Sequence, residues 1–236
     1  MSTIYLIRHG QASFGAADYD RLSPLGRRQA DVTGQYFKAC AISWDAVYCG
    51  DLKRQVDTAL IASSHQQVEL NPIVDTRFNE IRNDEQVERL VPELLKTNQA
   101  LAALVDRGLK SSKDYQKVID AVFNYWVSDA YEDRSIQSWQ DYSSGVRSAV
   151  KEVMTSQGSG KTVAIFTSGG TIATIVAQAL GLPGEQTYAF YEPIINCSVT
   201  RLFYNAKGKI SLSYFNDHSF LDLMGQQRHE QLVTYR

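Results

Sequence analysis

The sequence predicts an α/β protein: a three-layer α/β/α sandwich with a mostly parallel sheet and a helical insertion. Three observations carry this. Short apolar runs at Ile4 to Ile7 and Thr162 to Phe166 are continuous rather than alternating and end abruptly in polar or glycine residues, as strands buried on both faces do. Each leads on to a stretch of helical spacing, and strand–helix repetition implies a parallel sheet covered by helices. A central block, about 84–145, carries helical periodicity and no strand alternation. One domain over 1–236 is expected, with that block as a cap beside the site.

The elements follow in order. The run "IYLI" leads straight into Arg8-His9-Gly10. "DYDRLSPLGRRQADVTGQYFKAC" opens a helix, with Ser23 as N-cap and Pro24 at the first helical position. "WDAVYCG" reads as a second strand, and "DLKRQVDTALIASS" as a helix for Asp51 to cap. "QVELNPIVD" reads as a third strand with a proline break. In the central region "DEQVERLVPELLKTNQALAALVDRG", "DYQKVIDAVFNYWVSDAY" and "SWQDYSSGVRSAVKEVMTSQ" are helical. The strand at Val163 resumes the alternation and meets Thr167-Ser168-Gly169-Gly170 before another helix. "NCSVTRLFYNAKGKISLSYFND" reads as a hairpin turning at Asn205 to Gly208.

Composition bounds the function. At 44% hydrophobic over 236 residues the chain can bury a sizeable core. Lys plus Arg number 24 and Asp plus Glu 26, so no basic excess argues for nucleic acid or an anionic membrane. The three cysteines, Cys40, Cys49 and Cys197, make neither a disulfide framework nor a zinc knuckle. That suits a reducing compartment. "MSTIYLIRHG" lacks the basic flank of a signal peptide, and no stretch approaches the roughly 18 apolar residues of a membrane helix. A cytoplasmic location is expected. His9, His65, His218 and His229 show no paired spacing, so neither a metal site nor a cofactor is expected.

In open α/β sheets ligands gather at the carboxyl ends of strands. Three such ends here carry chemistry: Arg8-His9-Gly10, Cys49-Gly50-Asp51 with Arg54 a turn later, and Ser168-Gly169-Gly170. An Arg-His pair after a buried strand needs a partner, and a structural salt bridge and a functional site are equally open. Arg54 and Glu80, each taken alone, read as a solvated helix position and a loop carboxylate. The Ser-Gly-Gly corner opens a helix, where free backbone N–H groups attract anions.

The ordered motifs "IYLIRHGQASF", "YDRLSPLGRRQA", "VYCGDLKRQVDTA" and "RFNEI" closely resemble the histidine phosphatase superfamily, also called phosphoglycerate mutase-like. The resemblance spans Ile4 to about Ile81 and Val163 to Leu180. It implies that His9 is a nucleophile that becomes phosphohistidine, with the Gly10 carbonyl fixing its tautomer. It implies that Arg8 and Arg54 bind phosphate, and that Glu80 is the acid that protonates the leaving oxygen. Two departures stand out. Gly15 occupies a place where the family commonly has a phosphate-touching asparagine. Ser168 occupies the place of the family's second catalytic histidine, beside Gly169 in the phosphate pocket.

The reading is a metal-independent phosphohydrolase acting on a small phosphomonoester, with reduced activity. The alternative is a non-catalytic phospholigand-binding or scaffolding protein on the same fold. A phosphoglycerate-type mutase is weaker, because the sequence shows no pocket that would retain an intermediate. A serine esterase using Ser168, with His218 as base, conflicts with Phe166, where a nucleophile elbow needs glycine. The "GSGKT" at Gly158 to Thr162 follows a helix and opens a strand, the reverse of a P-loop. His218 is left as a residue that swings into the site only if the fold brings it there.

Overall fold

A computed structural model describes residues 2–13, 20–128, 130–131 and 135–235. Six strands form one sheet in the order β3-β2-β4-β1-β5-β6. They are β1 (Ser2–Arg8), β2 (Ala46–Cys49), β3 (Ile73–Val74), β4 (Thr162–Thr167), β5 (Val199–Tyr204) and β6 (Ile210–Asp217). The first four strands pair in parallel, and β5 and β6 are antiparallel. The helices are α1 (Pro24–Ala39), α2 (Lys53–Ser63), α3 (Asn83–Thr97), α4 (Gln99–Asp106) and α5 (Ser112–Val127). After them come α6 (Trp139–Gln157), α7 (Gly169–Leu180), the short α8 (Tyr188–Tyr191) and α9 (Ser219–Arg228).

The pleat of the central strands splits the core in two, because successive side chains point to opposite faces. Ile4, Leu6 and Ile165 enter one cluster with Leu90, Phe123, Trp126, Val146 and Ile172. Tyr5, Ile7 and Phe166 enter the other, with Phe37, Trp44, Ala59 and Leu221. Helices α1, α2 and α9 therefore cover one face and α3 to α7 the other, giving three layers. The central helices share their core with the sheet, and α6 runs unbroken through position 145 because Val146, Ala149 and Val150 pack on that same cluster.

Local signals place the elements. Ser23 caps α1, its hydroxyl accepting from the Gly26 amide at 3.0 Å, with Pro24 just inside. The β5–β6 turn has Gly208 at φ 79°, and the Asn205 side chain accepts from the amides of Lys207 and Lys209. Two expectations differ. The third strand shrinks to two residues, Ile73 and Val74, both about half exposed at the sheet edge beyond Pro72, which has no amide to pair. Asp51 does not cap α2. It exchanges hydrogen bonds with Asn79, and the Lys53 amide donates instead to Asp20 Oδ2 at 2.7 Å.

Candidate active site

His9 stands at the end of β1, where parallel pairing sets it beside the end of β4. Its backbone N–H donates to the Thr167 carbonyl at 2.8 Å. The following turn packs on α1 so tightly that a Cβ at Gly10 would lie 2.4 Å from the Gly26 carbonyl oxygen. Only glycine admits that approach. The ring is buried, with Nδ1 2.7 Å from the Gly10 carbonyl. A carbonyl only accepts, so Nδ1 carries the hydrogen and Nε2 keeps its lone pair. That lone pair accepts from Arg54 Nε at 3.2 Å. Burial first, then the charges of Arg54 and Arg8, hold the imidazole well below its usual pKa of 6.5, against the pull of the Gly10 carbonyl. A neutral ring with an aimed lone pair is the form of histidine that attacks phosphorus.

Arg54 lies buried on the first turn of α2. Its Nη1 donates to Asp20 Oδ1 at 2.6 Å. Asp20 thus braces the arginine with one oxygen and the start of α2 with the other. Arg8, closing β1, donates through Nη1 to the carbonyls of Ile194 and Tyr235.

Glu80 follows a 3-10 turn at Thr76–Phe78. Its Oε1 accepts from the amides of Ile81 at 3.0 Å and Gly170 at 2.9 Å. Burial raises its pKa above the usual 4.5, and Arg54, Arg8 and the two amides oppose that rise. A carboxyl so placed holds a proton more readily than one in water. The contact also revises the expected anion site. The Gly170 amide, predicted to lie open at the N-terminus of α7, is taken by Glu80.

Ser168 is the N-cap residue of α7, fully buried, but its side chain caps no amide. Its Oγ accepts from Gln55 Nε2 at 2.7 Å. No histidine hydrogen-bonds Ser168 among the described residues, so a serine nucleophile would lack its base. Gly169 lies between Tyr191 and Arg8: a Cβ there would come within 3.0 Å of the Tyr191 ring and 3.8 Å of Arg8 Nε. His218 stays apart from these groups, its Nδ1 2.9 Å from the Asn216 carbonyl and its Nε2 3.8 Å from Asp222. Gly158 and Thr162 end a helix and begin a strand. Gly15 lies outside the described residues.

The fold thus gathers His9, Arg8, Arg54, Glu80, Ser168 and Gly169 at one edge of the sheet. Sequence reasoning missed Asp20 and Gln55. Asp20 lies 34 residues before its arginine, and a buried glutamine beside Arg54 has no sequence signature. Among the described residues no three His, Cys, Asp or Glu side chains cluster as metal ligands, and no helix is long and apolar enough to cross a membrane.

Comparison with known proteins bears on the family and the fold. The family model of the histidine phosphatase superfamily (branch 1) matches residues 4–108 and 105–217. The mitochondrial serine/threonine-protein phosphatase Pgam5 of Drosophila grimshawi is 26% identical over 226 residues, covering 92% of this chain. The chain spans 64% of that relative's length. PGAM5 of Xenopus laevis is 39% identical over 64 residues, 26% of this chain and 23% of that protein. Among solved structures, a phosphoserine phosphatase mutant from Entamoeba histolytica in complex with phosphoserine aligns with a TM-score of 0.64 at 19% identity, over 94% of this chain and all of that one. A mycobacterial glucosyl-3-phosphoglycerate phosphatase with inorganic phosphate aligns at 0.63 and 22% identity, over 92% and 98%. With the family model covering nearly the whole sheet and its helices, the chain belongs to the histidine phosphatase superfamily, branch 1.

Proposed function

We propose that this protein is a metal-independent phosphohydrolase that works through phosphohistidine on a small phosphomonoester. One observation carries the reading: a buried neutral His9 whose Nε2 lone pair is free of a proton and flanked by Arg54. A phosphoryl group arriving there displaces the Arg54 Nε contact from His9. Both arginines then neutralise its charge, as planar guanidinium forks do. The Nε2 lone pair forms the P–N bond. The P–O bond breaks, its electron pair staying on the leaving oxygen, which takes the proton of Glu80. In the second half, Glu80 as carboxylate accepts a proton from water, water oxygen bonds to phosphorus, and the P–N bond breaks with its pair returning to Nε2.

Ser168 weakens this catalyst rather than abolishing it. A neutral hydroxyl replaces a charge-assisted donor of about twice the strength. Losing one transition-state donor costs roughly 10²–10³ in rate, against enzymatic accelerations of at least ~10⁶. The relatives named as phosphatases support the class of reaction. The complex of one structural neighbour with phosphoserine favours small phosphorylated substrates. A reducing, cytoplasmic setting is proposed from the three free cysteines.

Ser168 also favours a second reading, a phospholigand-binding protein with a degraded site. Incubation with an aryl phosphate separates the two. Turnover, with an acid-labile phosphoprotein that His9→Ala abolishes, is expected. Phosphate binding without either signal would leave only the binding protein.

A further inference from the structure

Gln55 has no part in the steps above, yet it is built into the site. Its side chain is fully buried on the first turn of α2, next to Arg54. Nε2 donates to Ser168 Oγ at 2.7 Å and to the Phe78 carbonyl at 3.1 Å. Both amide hydrogens are therefore used. Turning the amide over would set Oε1 against the Phe78 carbonyl, acceptor against acceptor, so the orientation is fixed. Oε1 has no hydrogen-bond partner among the described residues. It faces Gly50, where a Cβ would meet it at 2.0 Å. A buried acceptor left unpartnered is destabilising, and such costs gather at functional sites.

A hydroxyl that receives one hydrogen bond through its oxygen sends its own hydrogen elsewhere. Among the described residues no protein acceptor takes a hydrogen bond from the Ser168 hydroxyl. The pairing of Arg8 with Thr167 puts the next residues, His9 and Ser168, side by side at the strand ends. We propose that Gln55 is a positioning residue that acts through Ser168, turning the serine hydroxyl into a fixed donor toward an oxygen of the phosphoryl group at His9. The inference rests on the phosphohistidine reading for its catalytic consequence, and on an anion in the pocket for its binding consequence. Neither group titrates near neutral pH, so the donor does not switch with pH.

The test uses wild type, Gln55→Met, Gln55→Glu, Ser168→Ala and the Gln55→Met/Ser168→Ala pair, with thermal melts on each. Met keeps the volume and removes the donor. Steady-state kinetics on an aryl phosphate are expected to show kcat down roughly 10²-fold in Gln55→Met, the cost of one lost transition-state donor, with KM little changed. Ser168→Ala should match it, and the pair should be no worse than Ser168→Ala alone. Gln55→Glu gives a signature that a purely structural role would not. As a carboxylate it accepts the serine hydrogen and turns it away from phosphate. Protonated in acid, it donates again, so its rate relative to wild type should recover as pH falls. Losses that multiply in the pair, or wild-type kcat in a folded Gln55→Met, would overturn the inference. If Met does not fold at this position, the pH behaviour of Gln55→Glu decides alone. If wild type turns over no aryl phosphate, the phosphatase reading fails by itself. Vanadate affinity then decides for Gln55: a loss that Ser168→Ala does not deepen supports the role, and unchanged affinity removes it.

Discussion

Gly170→Ala offers a sharp test of Glu80 as the acid. The backbone there does not have positive φ, and alanine is the better helix former by up to about 1 kcal/mol. Taken by itself, α7 would gain. The obstacle is tertiary: a Cβ at this position would lie 2.5 Å from Glu80 Oε1 and 2.5 Å from Ile81 Cδ1. Ordinary contact begins near 3.4 Å, so the carboxyl must retreat by about 0.9 Å. Its 2.9 Å hydrogen bond from the Gly170 amide then stretches or breaks. A 1 Å misplacement of a catalytic group costs on the order of 10²-fold. The cost should fall on leaving groups that need a proton. Hydrolysis of an alkyl phosphate should drop about a hundredfold, while an aryl phosphate with an acidic phenol should lose far less. The assay is kcat/KM for both substrates beside a thermal melt. A folded Gly170→Ala that treats the two substrates as wild type does would refute the role given to Glu80.

The pH–rate profile should be a bell whose limbs belong to the same two groups. Activity falls on the acid side as His9 gains a proton and on the alkaline side as Glu80 loses its own. Burial lowers the first from 6.5 and raises the second from 4.5, so the two converge and the optimum should be weakly acidic. Glu80→Gln should erase the alkaline limb, and an optimum above pH 8 would contradict the assignment. Ser168→His alone should not raise activity, because Gln55 stands 2.7 Å from Ser168 Oγ and fills the room an imidazole needs. Paired with Gln55→Ala it should exceed the activity of Gln55→Ala alone, read on the same aryl phosphate. Burial pushes the Cys49 thiol up to about 11 and the Cys197 thiol to about 12. An aromatic disulfide reagent should therefore titrate one thiol per native chain, the exposed Cys40, and three after denaturation. Leu90→Ala empties a fully buried place in the core shared by the central helices and the sheet. It should cost about 2–5 kcal/mol in a urea melt.

The sequence by itself determined the layers and the edge at which chemistry gathers. Continuous apolar runs such as Ile4 to Ile7 and Val163 to Phe166, each closed by a polar or glycine corner, read as strands covered twice, and all their residues are buried. Parallel strands deliver their C-terminal residues to one edge whatever the loops do, so His9 and Ser168 fall at the same edge, whereas the folded sheet alone made β1 and β4 neighbours and set the two side by side. Ser23 and Pro24 fixed the start of α1 through bonds made within four residues. Partner choice over long separations was decided only in the folded chain. Asp51 looked like the cap of α2, but Asn79 claimed its side chain and Asp20 supplied the oxygen instead. The Gly170 amide looked open, but Glu80, 90 residues earlier, occupies it. Gln55 carried no local signal, because its meaning lies wholly in touching Ser168 across 113 residues. Local hydrogen bonds and side-chain period are written in neighbouring residues. Which of several equivalent donors and acceptors pair across the site depends on the close packing that brings them together.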